Sequence, residues 1–233
     1  MEERTNKTKV YNVIIMDRSG SMWDIQHPAI QGFNEVLGGV KAAARQFSST
    51  QEHLITLVLF DSTSIENVYW NAYPANAQRL TTNTYVPGAC TPLYDAIGRT
   101  LTRLAKELEG DQSHSVIVTI ITDGYENDSQ EYDLGAVQAL IRHLKSEGWS
   151  FAYLGTDHDV QGVTVSLSIT NVVKFEKTEE ETKDTFMKER RARERYHRKM
   201  WEYECANPQK SWEEMKRYES CLANEYYKET DNK

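Results

Sequence analysis

The 233-residue sequence is poor in the features that would assign it to several common classes. It has only three cysteines, Cys90, Cys205 and Cys221, an odd number without ligand-like spacing. That excludes a disulfide framework, predicts free thiols and points to a reducing compartment. No apolar run approaches the ~20 residues that a membrane-spanning helix needs. The opening segment MEERTNKTKV is polar and mixed in charge, so neither an export signal nor an anchor is expected there. Positive charge is not in excess: 27 Lys and Arg against 35 Asp and Glu leave a formal net charge of -8, and an acidic surface repels a phosphate backbone. No internal repeat is visible. The sequons Asn6-Lys7-Thr8 and Asn127-Asp128-Ser129 would carry sugar only in a secreted protein. These absences predict a cytoplasmic protein, with no membrane contact, of a size for one domain and an appendage.

What is present is an alternation of apolar β-branched runs with helical patterns. VYNVIIM (10–16), HLITLVLF (53–60) and HSVIVTIIT (114–122) read as buried strands, IENVYWNAY (65–73) as a half-buried one, and SFAYLGT (150–156) and NVVKF (171–175) as two more. Helices are predicted over 28–47, 91–108 and 134–148, the last stopped by Gly148. Thr91-Pro92 fits the start of the second, a capping residue followed by a good first-turn residue. Strands alternating with helices imply right-handed crossovers and a sheet covered on both faces. The short polar turn DSTS between the second and third strands makes a hairpin, hence one antiparallel edge. The fold class is therefore α/β, a doubly wound, mostly parallel sheet with one antiparallel edge strand, over residues 9–176.

From 177 to 233 the composition changes to long charged side chains with interspersed aromatics. The 14 basic and 14 acidic residues there leave the excess negative charge in the preceding region. Two helices broken at Asn207-Pro208 are predicted, the second opening with the capping box Ser211…Glu214. A helical hairpin packing on the core, on itself or on a partner is the expected form. The stretch 188–199, KERRARERYHRK, is locally basic. It is the only candidate for a nucleic-acid contact, beside the plainer reading of a solvated face laced with i,i+4 charge pairs.

Chemistry concentrates where the first strand ends, in DRSGSM. Asp17, Ser19 and Ser21 place a carboxylate and two hydroxyls at alternate positions. A phosphate grip would need more glycine and a lysine than this segment has, and Asp17 would repel the anion. A carboxylate nucleophile of the aspartyl-phosphatase type usually has a second aspartate where Ser19 stands. A serine nucleophile lacks the GxSxG elbow and an evident base. The third reading is a cation held by oxygen. In a parallel sheet the functional crevice lies at the carboxyl edge of the strands. Asp123 follows the strand 114–122, and Thr91 stands at the mouth of its helix. Two carboxylates and three hydroxyls, Asp17, Ser19, Ser21, Thr91 and Asp123, are hard donors that suit Mg²⁺ or Mn²⁺.

These residues resemble those of a von Willebrand factor A domain. DRSGSM, the threonine of PGACTPLYDA and the TDG after a hydrophobic strand are similar to the family's metal-ion-dependent adhesion site (MIDAS), D-x-S-x-S with a distant Thr and Asp. The resemblance covers about 9–176, and TPLYDAIG is similar to prokaryotic, intracellular members. It implies a Rossmann-like fold in which Ser19, Ser21 and Thr91 hold the ion directly. Asp17 and Asp123 would act through bound water. The ion's open position would take a Glu or Asp of a partner protein. Ile25 stands where a second ion's acid would be, so one ion is expected. The implied function is a non-catalytic, Mg²⁺-dependent protein-binding module. Alternatives are an accessory, substrate-presenting subunit of an AAA+ ATPase or metal-insertion complex, a metal-dependent phosphoesterase, and an RNA-associated scaffold. Arg18, Met22, Trp23 and Tyr125 are expected on the rim, where such side chains serve as interface anchors.

Overall fold

A computed structural model describes residues 7–111, 113–156 and 167–228. Asn6 of the first sequon and residues 229–233 of the tail lie outside them. Among the described residues six strands, β1 (Thr8–Asp17), β2 (Gln51–Asp61), β3 (Ser64–Ala72), β4 (His114–Ile121), β5 (Ser150–Thr156) and β6 (Asn171–Phe175), form one sheet. Their order is β3-β2-β1-β4-β5-β6, and only β3 runs antiparallel, paired with β2. The expected doubly wound sheet with one antiparallel edge strand is present.

The central strands are buried along nearly their whole length, as crossover helices on both faces require. Side chains of β1 alternate between the layers. Val13 and Ile15 join the core under α2 (Leu93–Glu107) and α3 (Leu134–Ser146). Ile14 and Met16 pack under α1 (Gln26–Gln46). Burying each such aliphatic side chain is worth about 1.5–3 kcal/mol, so β1 is the keel of the domain.

Beyond β6, α4 (Glu179–Ala206) and α5 (Trp212–Asn224) pack on the α1 face, sharing a core with Ile117 of β4 and Ala152 of β5. The chain breaks between them at Asn207-Pro208. Both halves of the Ser211–Glu214 capping box form, so Ser211 and Glu214 each bond the other's backbone N–H. Tyr203 and Tyr218 stack across the break, ring centroids 4.0 Å apart, so the two helices form a hairpin that also lies on the sheet.

Polar side chains thread this interface. Arg193, fully buried on α4, donates to Glu189 Oε1 (Nε 3.1 Å, Nη2 2.9 Å), Asn12 Oδ1 of β1 (3.0 Å) and Thr119 Oγ1 of β4 (2.6 Å). Glu204 accepts from Thr8, Thr50 and Gln51. Ala192, Arg193, Tyr196 and His197, all within the basic stretch 188–199, are buried. Its central arginine is thus committed inside the protein.

Candidate metal centre

Strand order reverses between β1 and β4: the chain passes from β1 outward to β2 and β3, then returns to place β4 on the other side of β1. Ligand crevices of open α/β sheets open at such a switch point, at the carboxyl ends of the strands. Asp17 ends β1, and Thr122 and Asp123 follow β4 directly.

The five residues singled out in the sequence meet there. Ser19 Oγ and Ser21 Oγ are 3.1 Å apart, and Ser21 Oγ donates to Asp123 Oδ1 at 2.6 Å. Gly124 locates the others. A Cβ on it would stand 3.1 Å from Ser21 Oγ, 3.2 Å from Thr91 Oγ1 and 3.8 Å from Asp17 Oδ2. One small volume is therefore lined by hydroxyl and carboxylate oxygens, and the missing side chain of Gly124 keeps it open.

The backbone around the cradle explains how each group arrives. Ser19 starts a short 3-10 helix, Gly20–Ile25, and its N–H donates to Asp17 Oδ1 at 2.6 Å. This short-range bond turns the chain sharply out of β1, so both serines face back toward Asp17. Thr91 does not cap its helix; the N-cap is Pro92, without a side-chain cap bond. Its hydroxyl is left for the cradle, while its backbone is clamped by Asn127, which accepts from Thr91 N–H (2.8 Å) and donates to Thr91 O (3.2 Å).

Asp17 is fully buried. Thr122 Oγ1 donates to its Oδ2 at 2.5 Å, and the Tyr85 hydroxyl donates to its backbone carbonyl at 2.6 Å. Burial pushes its carboxyl up to about 6, against the hydrogen bonds from Thr122 and Ser19. A neighbouring cation is what restores the ionised form to such a group. The Asp123 side chain is buried as well, and its Oδ2 lacks a hydrogen-bond partner among the described residues. It has instead an ion pair with Lys177 Nζ at 2.8 Å, close but not aligned as a hydrogen bond. Both carboxylates call for positive charge, and the hard donor set fits a divalent ion. No cluster of three or more His, Cys, Asp or Glu exists among the described residues, so an ion here would depend on the hydroxyls.

Four contributors were not read from the sequence. Thr122, Tyr85, Asn127 and Lys177 act through contacts far from their own positions in the chain. Only Thr122, beside Asp123 in TDG, lay within the recognised pattern. On the rim, Trp23 (59% exposed), Tyr125 (52%) and Val86 (53%) project to solvent. Met22 corrects the expectation. It is fully buried, because the 3-10 helix brings residues three apart to one side and Met22 shares the inner side with Ile25. Arg18 is held down by Asp61 and Glu66, both at 2.8 Å.

A model of the von Willebrand factor type A domain matches residues 13–188, and the chain belongs to that family. A comparison with curated proteins returns no match. Among solved structures, the chain is similar to the vWF domain of the pilus tip protein Mfa5 of Porphyromonas gingivalis, at 11% identity and a TM-score of 0.55, covering 80% of this chain and 95% of that one. It is similar to the mussel byssus proximal thread matrix protein 1 with a zinc-occupied MIDAS motif, at 15% identity and 0.53, covering 78% and 47%. Manganese-loaded TRAP of Plasmodium vivax matches at 12% identity and 0.52, covering 76% and 72%. The chain spans about half the length of the mussel protein. At these identities the likeness shows the fold.

Proposed function

We propose that the protein is a divalent-cation-dependent protein-binding module in which Asp17, Ser19, Ser21, Thr91 and Asp123 hold Mg²⁺ or Mn²⁺. The observation that carries the reading is the convergence of these oxygens around the volume left by Gly124. The metal, when bound, supplies a Lewis-acidic position for a carboxylate of the partner. Two carboxylates neutralise only the ion's own charge, so it stays electrophilic. The chain's part is to orient the hydroxyls, through the Ser19–Asp17 turn and the Asn127 clamp, and to fix the Asp17 carboxyl by hydrogen bonds from Ser19 and Thr122. Zinc and manganese in two structural relatives support a divalent ion.

Trp23, Val86 and Tyr125 give the surrounding surface the large side chains that anchor interfaces. The reading is non-catalytic, supported by the burial of Asp17 and by the hydrogen bonds that both its carboxylate oxygens already accept. The proposed binding unit is 9–176, and the proposed helical extension begins at 177 and, through its described residues up to 228, braces that unit. The cytoplasm is the proposed address, supported by three free cysteines. No helix among the described residues is long and apolar enough to cross a membrane.

Calorimetric titration with Mg²⁺ and Mn²⁺ tests the ion, and Asp17→Ala is the control. Saturable binding lost in Asp17→Ala supports the reading; absence of binding in the native protein, at millimolar ion, sinks it. Capture from lysate in Mg²⁺ and in EDTA then tests the partner's dependence on the ion.

A further inference from the structure

The site contains a cation that none of the five motif positions explains. Lys177 lies in the short connection between β6, which ends at Phe175, and α4, which starts at Glu179. Its Nζ stands 2.8 Å from Asp123 Oδ2; the lysine side chain is 34% exposed and the aspartate's 0%. The connection is fixed at both ends. Phe175 is buried in the core, and Thr178 caps α4 by accepting from Glu181 N–H at 3.2 Å. Asp123 therefore divides its two oxygens, Oδ1 toward Ser21 in the cradle and Oδ2 toward the ammonium.

We infer that Lys177 is the resident counter-charge of the site. The tethered ammonium neutralises buried Asp123 when no ion is bound, and it weakens the site for divalent ions by sharing that carboxylate with them. This rests on the metal-binding reading above. A buried carboxylate without a positive neighbour is costly, so the lysine stabilises the metal-free protein. Once an ion enters, two cations bear on one carboxylate. A charge at this range shifts a neighbouring ionic equilibrium by about 1–3 powers of ten. The lysine thus sets the ion concentration at which the site fills. Its position at the start of α4 makes that setting a property of the helical extension as well as of the motif.

The test is titration of the full chain with Mn²⁺ by calorimetry, for the native protein and for Lys177→Gln, Lys177→Met, Lys177→Arg and Asp17→Ala. Gln keeps a donor for Oδ2 and removes the charge, so it carries the test if the Met variant fails to fold. The expected result is binding about tenfold tighter in Lys177→Gln and Lys177→Met, and near-native binding in Lys177→Arg. In EDTA the uncharged variants should melt a few degrees lower, and Mn²⁺ should raise their Tm by more than the native protein's. Equal or weaker Mn²⁺ binding in a folded Lys177→Gln overturns the inference, and if Asp17→Ala still abolishes binding, only the lysine's role falls. If neither the native protein nor Lys177→Gln binds Mn²⁺, the metal reading itself fails and this inference falls with it.

Discussion

Gly124 stands so close to Thr91 that a methyl group on its Cα would lie 3.2 Å from the threonine hydroxyl, and 3.1 Å from that of Ser21. Its φ is not in the left-handed region, so alanine is compatible with the backbone there. Gly124→Ala should therefore fold normally while filling the cradle. Changes that disturb the support of a metal's ligands typically cost 10–100-fold in affinity. The expected outcome is a loss of Mn²⁺ affinity of about that size, with Tm within ~2 °C of native, measured by calorimetry and thermal melting. Unchanged Mn²⁺ affinity would place the ion elsewhere.

The fold was legible because its signals are local. VYNVIIM and HSVIVTIIT announce buried strands by composition, and Ser211…Glu214 announces a helix start that the structure reproduces bond for bond. The motif residues were legible because three of them sit within five positions. Thr91 carried two readings, cap and ligand, which only the missing cap bond separates. Lys177 gave no signal at all. It is one lysine in a charged tract, and its meaning comes from the neighbour that β6 delivers it to. The packed hairpin was legible from the tail's aromatics, but the plainer reading of 188–199 as a solvated face fails on its buried side. Average charge predicts a solvated helix, yet Arg193 and Glu189 are inside, since one helical face can be buried whatever the composition of the rest.

That buried pair sets a second expectation. Glu189 accepts from Arg193, Thr119, Tyr226 (3.1 Å) and Tyr227 (2.5 Å), joining β4, α4 and the chain end in one network. Removing one member strands a charge in the interior, at a cost of about 3–5 kcal/mol. Arg193→Ala and Glu189→Ala should each show that loss in urea unfolding, and the double variant should lose clearly less than the sum. Additive losses would mean that the two groups are stabilised independently.

Acidification should weaken the same interface. His53 of β2 and His197 of α4 meet edge to face, ring centroids 4.6 Å apart, with Arg193 nearby and His53 Nε2 3.0 Å from Gln51 Oε1. Burial, then Arg193, lowers His53 to about 4. Burial, then His53 and Arg193, lowers His197 well below its usual range. The unfolded chain binds protons near the ordinary value of ~6.5 while the folded one does not, so stability is lost as pH falls below that value. For His53 the loss is complete only near its folded value of about 4. His53, still neutral at pH 5, costs about 2 kcal/mol there. Asp17 works the other way: raised to about 6, it destabilises the metal-free fold as pH rises toward neutrality. The difference between variants isolates the histidine. From pH 7 to 5, His197→Leu should lose less stability than the native protein in urea unfolding, because the substitution removes one group that must stay neutral in the fold. Parallel pH curves would show that His197 is not the group being protonated.

Two glycines of α1 separate the packing of the extension from the stability of the helix itself. A Cβ on Gly32 would fall 2.1 Å from Phe186 Cγ of α4, whereas one on exposed Gly38 would meet nothing within 4 Å. Both sit in the helix interior, where alanine is favoured over glycine by about 1 kcal/mol. Gly38→Ala should gain roughly that amount. Gly32→Ala gains it too, but must push the Phe186 ring off α1, an overpacking cost of typically 1–3 kcal/mol or more. Opposite signs in urea unfolding are therefore expected for one and the same substitution six residues apart. The Gly32→Ala loss should shrink if Phe186→Leu is added, because the smaller side chain leaves room for the methyl. Should Gly32→Ala stabilise as Gly38→Ala does, α4 would not lie on α1 in solution, and the extension would have to be freed from the sheet.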